Sequence, residues 1–169
     1  LIDGNNVIVT PAGKTATIAA LDKKTGETVW TGMAPADATE TAGYSAPILV
    51  NWGGKRIIIA STSFQAFAAD ADSGKVLWTS GMTLTKYACS TIPVLCGDNL
   101  VFVSNTSNND QASSMLRVTP SGDKAQKAWT LPLCNTSGSS LQVDGNLYIA
   151  SARGLKGLLC LDAKTGKVK

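Results

Sequence analysis

The 169-residue chain is 44% hydrophobic and 16% charged, a balance that suits one folded domain and excludes an intrinsically disordered chain. Its formal net charge of +3 is modest and no cluster of basic and aromatic residues occurs, which argues against a nucleic-acid-binding protein. No apolar run approaches the ~18 residues that a membrane-spanning helix needs. Gly, Ser, Thr and Ala are plentiful, so we expect short strands and tight turns rather than helices.

The sequence contains no histidine, which excludes a Cys-x-x-Cys-His haem attachment, a His-based catalytic triad and a His-ligated zinc site. The four cysteines allow two disulfides or none. Cys89 and Cys96 flank one predicted strand, and at ~3.3 Å per residue a continuous strand would hold them roughly 23 Å apart, too far for a mutual bridge. We expect Cys160 to be buried and unreactive, and Cys134 to be the most exposed candidate.

The predicted strands fall into four units along the chain. The first unit has three strands and lacks its innermost one: Asn5–Pro11, Ala16–Asp22 and Glu27–Thr31. The second unit has four strands: Tyr44–Asn51, Arg56–Ser61, Phe64–Asp70 and Val76–Thr79. The third unit also has four: Cys89–Leu95, Leu100–Ser104, Met115–Thr119 and Ala128–Leu131. The fourth begins with three: Ser139–Val143, Leu147–Ser151 and Gly157–Asp162.

One hairpin pattern recurs in these units: small or apolar residues, an Asp, a turn with Gly, and a return strand ending in Trp. It reads ALDKKTGETVW at residues 20–30, AADADSGKVLW at 68–78 and CLDAKTGKVK at 160–169, with a degraded copy ending at Trp129. The Asp side chain can accept hydrogen bonds from turn amides, and Gly allows a positive φ. Trp30 and Trp78 lie 48 residues apart, and Trp129 follows 51 residues later.

A single hairpin cannot bury its own Trp, so the regular spacing predicts stacked repeats. A period near fifty residues with several short strands fits the blade of a β-propeller. The pattern Ala-x-Asp-x-x-Thr-Gly-x-x-x-Trp resembles the tryptophan-docking motif of quinoprotein-type (PQQ-like) β-propellers, which include the BamB-type outer-membrane assembly proteins. The structural positions that match or replace that motif are Ala20, Asp22, Gly26, Trp30, Ala68, Asp70, Gly74, Trp78, Trp129, Asp162 and Gly166.

This resemblance implies an all-β propeller of four-stranded antiparallel blades, approximately 1–31, 43–80, 88–131 and 139–169. About four blades make half of a seven- or eight-bladed ring, with the remainder supplied by a missing part of the chain. A compact four-bladed ring is the alternative.

Propellers bind ligands at the axis, at the starts of the inner strands. The hydroxyl residues that the repeat makes equivalent there are Ser45, Thr91 and Ser139. Two interpretations stay open: these side chains contact a ligand, or they are small because the axis is narrow and they satisfy nearby backbone groups.

The resemblance implies an exported, often periplasmic, non-catalytic binding or scaffolding module whose partner is a protein or a glycan. The alternative is a fragment of a PQQ-dependent alcohol dehydrogenase, a class that uses a vicinal Cys pair beside the cofactor and acidic ligands for Ca²⁺. This sequence has no adjacent cysteines, and its motif Asp residues belong to turns. We therefore expect no catalytic residue, metal or cofactor in this chain, with PQQ and Ca²⁺ arising only under the alternative.

Overall fold

The computed structural model describes residues 1–35, 42–63, 65–80, 91–104, 113–119, 121–134 and 138–169. All regular elements in these ranges are β-strands, paired antiparallel into three four-stranded sheets, one three-stranded sheet and a two-stranded ribbon. In each four-stranded sheet the strands are adjacent in chain order, so each sheet is a simple meander.

The first sheet corrects the prediction of three strands. Its four strands are β1 (Ile2–Asp3), β2 (Asn6–Val9), β3 (Ile18–Asp22) and β4 (Thr28–Gly32). The chain reverses between β1 and β2 in a two-residue turn in which Gly4 has a φ of 58°. A two-residue strand is too short to carry a readable alternation, which is why the sequence did not reveal it.

The second sheet comprises β5 (Ile48–Trp52), β6 (Lys55–Ser61), β7 (Ala66–Asp70) and β8 (Val76–Thr79). Its inner strand begins four residues later than predicted, because Pro47 has no amide hydrogen to donate to a ladder. Gly53 and Gly54, with φ of 55° and 75°, form the two-residue turn between β5 and β6. Phe64, placed in a predicted strand, lies outside the described residues.

The third sheet comprises β9 (Val94–Leu95), β10 (Leu100–Val103), β11 (Ser113–Val118) and β12 (Ala125–Leu131). Its inner strand is two residues long in the described part. The continuous strand from which the separation of Cys89 and Cys96 was predicted is therefore not seen there, and Cys89 itself lies outside the described residues. The strand follows Pro93, as β5 follows Pro47.

The fourth sheet contains β14 (Leu141–Val143), β15 (Asn146–Ser151) and β17 (Gly157–Asp162). A short ribbon, β13 (Leu133–Cys134) paired with β16 (Arg153–Gly154), joins the end of the third unit to the fourth. This ribbon was not predicted. It buries Cys134 to 2% exposure, so the expectation that Cys134 is the most exposed candidate was wrong. Cys160, expected to be buried, is half-buried.

Successive sheets pack face to face through three apolar clusters. We call the face of a sheet that points toward the next sheet in the chain its forward face, and the opposite one its rear face. Ile8, Ala20 and Trp30 form the forward face of the first sheet and pack against the rear face of the second. The forward face of the second sheet meets the rear face of the third, and the third meets the fourth in the same sense. Each interior sheet is thus covered on both sides.

In two of the three contacts between successive sheets, a Trp packs against a turn glycine of the following sheet. A Cβ on Gly74 would overlap the six-membered ring of Trp30, and a Cβ on Gly166 would lie 2.9 Å from Cδ2 of Trp129. Trp129 also donates an indole hydrogen bond to the carbonyl oxygen of Ala163 at 2.9 Å. In the contact between the second and third sheets, Trp78 is 7% exposed within the apolar cluster.

An ion pair also ties the first sheet to the second. The guanidinium of Arg56, near the start of β6, contacts the carboxylate of Asp3 in β1 and that of Asp72 in the turn between β7 and β8. The hydrogen bond to Asp3, followed by its charge, raises the pKa of Arg56. Because Asp3 and Arg56 belong to different sheets, the contact links the two sheets at the edge of their apolar interface.

Candidate functional site

The strands place two kinds of loop at opposite ends of the sheets. The tight turns after β1, β3, β5 and β7 lie at one end, which we call the turn end. The longer connections from each outer strand to the next inner strand begin and end at the other end of the sheets, which we call the connection end. All three predicted ligand-binding residues, Ser45, Thr91 and Ser139, belong to these connections.

The structure brings two of the three predicted residues together. Ser45 and Thr91 are 5% and 3% exposed. Ser45 Oγ donates a hydrogen bond to the carbonyl oxygen of Thr91 at 2.7 Å, and Thr91 Oγ1 donates to the carbonyl oxygen of Ser104 at 2.8 Å. These bonds run from the loop before the second sheet, through the loop before the third, to the end of β10. Both hydroxyls donate hydrogen bonds to backbone oxygens. The role that these contacts support is to hold the loops in position.

Ser139 does not share this environment. It is exposed, whereas its neighbour Ser140 is 5% exposed. An inner strand of only three residues, as β14 is, carries too short a pattern to distinguish Ser139 from Ser140 as the equivalent position. The buried hydroxyl at the start of the fourth sheet therefore belongs to Ser140.

More hydroxyl groups than the sequence suggested hold the connection end together. Ser104 and Ser113 share a hydrogen bond of 2.8 Å between their Oγ atoms, and Ser113 Oγ donates to the carbonyl oxygen of Leu133 at 2.9 Å. In the fourth unit the amide of Cys134 donates to Ser151 Oγ at 3.2 Å. The recurrence of Ser or Thr at strand ends is the sequence signal that could have revealed this role.

Two large apolar side chains next to the buried pair point outward. Tyr44 is 83% exposed and Ile92 is 37% exposed, and each is adjacent in sequence to one member of the Ser45–Thr91 hydrogen bond. An exposed aromatic ring on an anchored loop is a typical contact residue of protein interfaces. Sequence reasoning missed both residues, because their exposure depends on where the strand begins.

The motif aspartates serve the turns. Asp22 Oδ1 accepts hydrogen bonds from the amides of Lys24 and Thr25 at 2.8 and 2.9 Å. The amide of Thr25 is the main cause that lowers the pKa of Asp22. Asp70 and Asp162 accept equivalent bonds, and their pKa values are lowered first by the hydroxyls of Ser73 and Thr165 respectively. These carboxylates stabilise hairpins at the turn end.

The described residues contain no group of acidic or thiol side chains of the kind that would hold a metal ion. A hard cation needs six or more oxygen ligands, and among the described residues no three carboxylate or thiol side chains come together as a metal-binding group. The carboxylates of Asp22, Asp70 and Asp162 are occupied by turn amides and hydroxyls. The sequence contains no adjacent cysteines.

A shallow cleft of about 400 Å³ lies at the turn end of the third sheet. Arg117 and Lys124 line it together with Asn99 and Gln126. The neighbouring carboxylate of Asp123 accepts a hydrogen bond from Ser121, which is the first cause lowering its pKa. The cleft is open and its polar lining is not buried.

The described part of the chain has no helix of the length and apolarity that a membrane crossing requires. A family model described as "Outer membrane protein assembly factor BamB" matches residues 1–169. The chain belongs to this family. Its sheets are accordingly β-propeller blades built from PQQ-like repeats. No curated protein matches the chain.

Proposed function

We propose that this chain is a non-catalytic binding module whose connection end docks a partner protein. The propeller sheets act as a rigid base, divided into blades at approximately 1–31, 43–80, 88–131 and 139–169. The family description names an outer-membrane protein assembly factor. By that likeness the partner is a protein of such an assembly, and the chain works after export, in the periplasm. Further blades would complete the ring around the same axis.

The observation that supports this function is the anchored, outward-facing pair Tyr44 and Ile92. The loops that carry them are held by the hydrogen bond from Ser45 Oγ to the carbonyl oxygen of Thr91, at 2.7 Å between buried groups. Pre-positioned loops lose little conformational entropy on binding, which favours affinity. Ser45 and Thr91 themselves are buried, so the exposed groups described here are Tyr44 and Ile92, which suit a protein partner.

The proposed tryptophan-docking role of Trp30, Trp78 and Trp129 belongs to this base. Contacts of Trp30 with Gly74 and of Trp129 with Gly166 support it. Their effect would be to stop neighbouring sheets from sliding, so that the loops before the second and third sheets keep a fixed separation.

Site-specific photocrosslinking tests the docking surface. A photoreactive amino acid replaces Tyr44 in cells that express the protein, and the matched control replaces Lys24, which is exposed at the turn end. We expect a protein adduct from position 44 and none from position 24, recovered from the periplasmic or outer-membrane fraction. Equal adducts from both positions would contradict the proposed surface.

A second assay separates the binding module from the dehydrogenase. The purified chain is supplied with PQQ, Ca²⁺ and a primary alcohol, and reduction of an artificial electron acceptor is followed. We expect no reduction above the protein-free control. Reduction that depends on all three additions would overturn the non-catalytic assignment.

A further inference from the structure

The cleft at the turn end of the third sheet holds two basic side chains, those of Arg117 and Lys124. Its volume of about 400 Å³ falls within the range of about 300–1,000 Å³ that is typical of ligand sites. Among the described residues, neither the guanidinium of Arg117 nor the ammonium group of Lys124 forms a hydrogen bond or an ion pair. Both charged groups are therefore available to a molecule from outside the chain.

The chain treats its other described guanidinium differently. Arg56 contacts two carboxylates of the chain itself, and these contacts neutralise it. The carboxylate next to the cleft, that of Asp123, is held by its own turn, because Oδ1 accepts hydrogen bonds from the hydroxyls of Thr119 and Ser121, both at 2.6 Å. Arg117 is thus left without a carboxylate partner among the described residues.

Backbone pairing fixes the lining of the cleft before any ligand arrives. The amide of Val118 donates a hydrogen bond to the carbonyl oxygen of Asn99 at 2.8 Å, which holds the end of β11 against the turn before β10. Arg117 pairs with Gln126 across β11 and β12, so their side chains lie on the same face of the sheet. The side-chain amides of Asn99 and Gln126 line the cleft as well, and each can both donate and accept a hydrogen bond.

We propose that this cleft binds an acidic side chain of a peptide segment from a partner protein. The planar guanidinium of Arg117 can donate two parallel hydrogen bonds to a carboxylate, and Lys124 supplies a second positive charge. The amides of Asn99 and Gln126 suit the peptide groups that flank an acidic residue, which both donate and accept. The site lies at the opposite end of the sheets from the proposed docking surface, so each can be tested without the other.

The neighbouring Asp123 favours a singly charged ligand. Hydrogen bonds from Ser121 and then Thr119, and more weakly the charge of Lys124, lower the pKa of Asp123. Asp123 is therefore ionised near neutral pH, and its negative charge lies beside Lys124. Because repulsion grows with the charge of the ligand, a doubly charged phosphate is disfavoured relative to a carboxylate.

Nuclear magnetic resonance titration of the full 169-residue chain tests the site. The probe is the blocked tripeptide acetyl-Ala-Glu-Ala-amide, and its matched control carries Gln in place of Glu. We expect saturable shifts of the Arg117 Nε–H and Gln126 side-chain amide signals with the acidic peptide and none with the neutral one, and weaker binding of inorganic phosphate. No saturable shift, an equal response to the two peptides, or phosphate binding at least as tight as the acidic peptide would overturn the proposal.

Variants that remove or replace one charge locate the contact. Arg117→Gln should weaken binding of the acidic peptide at least about tenfold, because it removes charge-assisted hydrogen bonds. Arg117→Lys keeps the charge but loses the two parallel hydrogen bonds, so it should also weaken binding. Lys24→Gln removes one charge from an exposed residue at the turn end of the first sheet and should leave the affinity unchanged.

Arg117 and Lys24 are both exposed, and circular dichroism verifies that each variant is folded. Parent-like affinity in Arg117→Gln, or an equal loss in Lys24→Gln, would overturn the proposal, because either result indicates diffuse attraction to basic residues. Parent-like affinity in Arg117→Lys would overturn recognition of the carboxylate by the guanidinium.

Discussion

The contact between Trp30 and Gly74 makes a quantitative prediction with an internal control. Gly26 and Gly74 occupy the same turn position in the first and second sheets, with φ of 76° and 73°. An alanine at either site adopts a left-handed conformation that costs about 1–2 kcal/mol. A Cβ at Gly26 has no atom within 4 Å, whereas a Cβ at Gly74 overlaps the Trp30 ring. Overpacking of this kind adds about 1–3 kcal/mol.

Gly74→Ala should therefore lower the free energy of unfolding by about 2–5 kcal/mol and Gly26→Ala by about 1–2 kcal/mol. Urea unfolding followed by far-UV circular dichroism measures both, and it avoids the tryptophan signal that the contact itself alters. In a Trp30→Ala background the two glycine substitutions should cost the same, because the overlapping ring is gone. A difference below about 0.5 kcal/mol in the parent chain would refute the inter-sheet contact.

Three further outcomes follow. Trp78→Ala should lower the free energy of unfolding by about 3–5 kcal/mol, measured by urea titration, because it empties a site in the core between two sheets; a loss under about 1 kcal/mol would contradict this packing. Because the hydroxyl of Ser73 holds the pKa of Asp70 below its ordinary value in the folded chain, the stability that Asp70 contributes is present above the ordinary pKa and is lost as the pH falls through the folded pKa. Ser73→Ala removes the main cause of that shift in the pKa of Asp70, so acid unfolding of the variant should begin at higher pH than that of the parent chain. An unchanged acid transition would contradict a stabilising role for this hydrogen bond. Burial raises the pKa of Cys96 to about 11, so iodoacetamide at pH 8 should modify Cys96 and the buried Cys134 only after urea is added, as intact mass reports, and rapid native labelling of either would disprove their burial.

Local hairpin chemistry is what the sequence revealed best. The Asp–Thr–Gly turns hold their own hydrogen bonds within four residues, so their composition alone indicates the conformation. The degraded third turn follows the same chemistry in another order: Asp123 Oδ1 accepts hydrogen bonds from the hydroxyls of Thr119 and Ser121, both at 2.6 Å. Here the carboxylate approaches from the other side of the turn.

Long-range pairing is what the sequence concealed. The ribbon that buries Cys134 depends on a strand about twenty residues away, and nothing in its two residues signals that partner. The two-residue strands Ile2–Asp3 and Val94–Leu95 are likewise too short to show a strand pattern in the sequence. The predicted residues Ser45 and Thr91 both lie in loops at the connection end, but the outward position of Tyr44 depends on where β5 begins.

The order of packing has a consequence for local opening. Among the described residues, apolar clusters cover the second and third sheets on both sides, whereas the first and fourth sheets each pack against one neighbouring sheet. In such linear arrays each unit is stabilised by its nearest neighbours, so the outermost units open most easily. Amide hydrogen exchange in the isolated chain should accordingly be slowest in β6, β7, β10 and β11, and fastest toward the two termini.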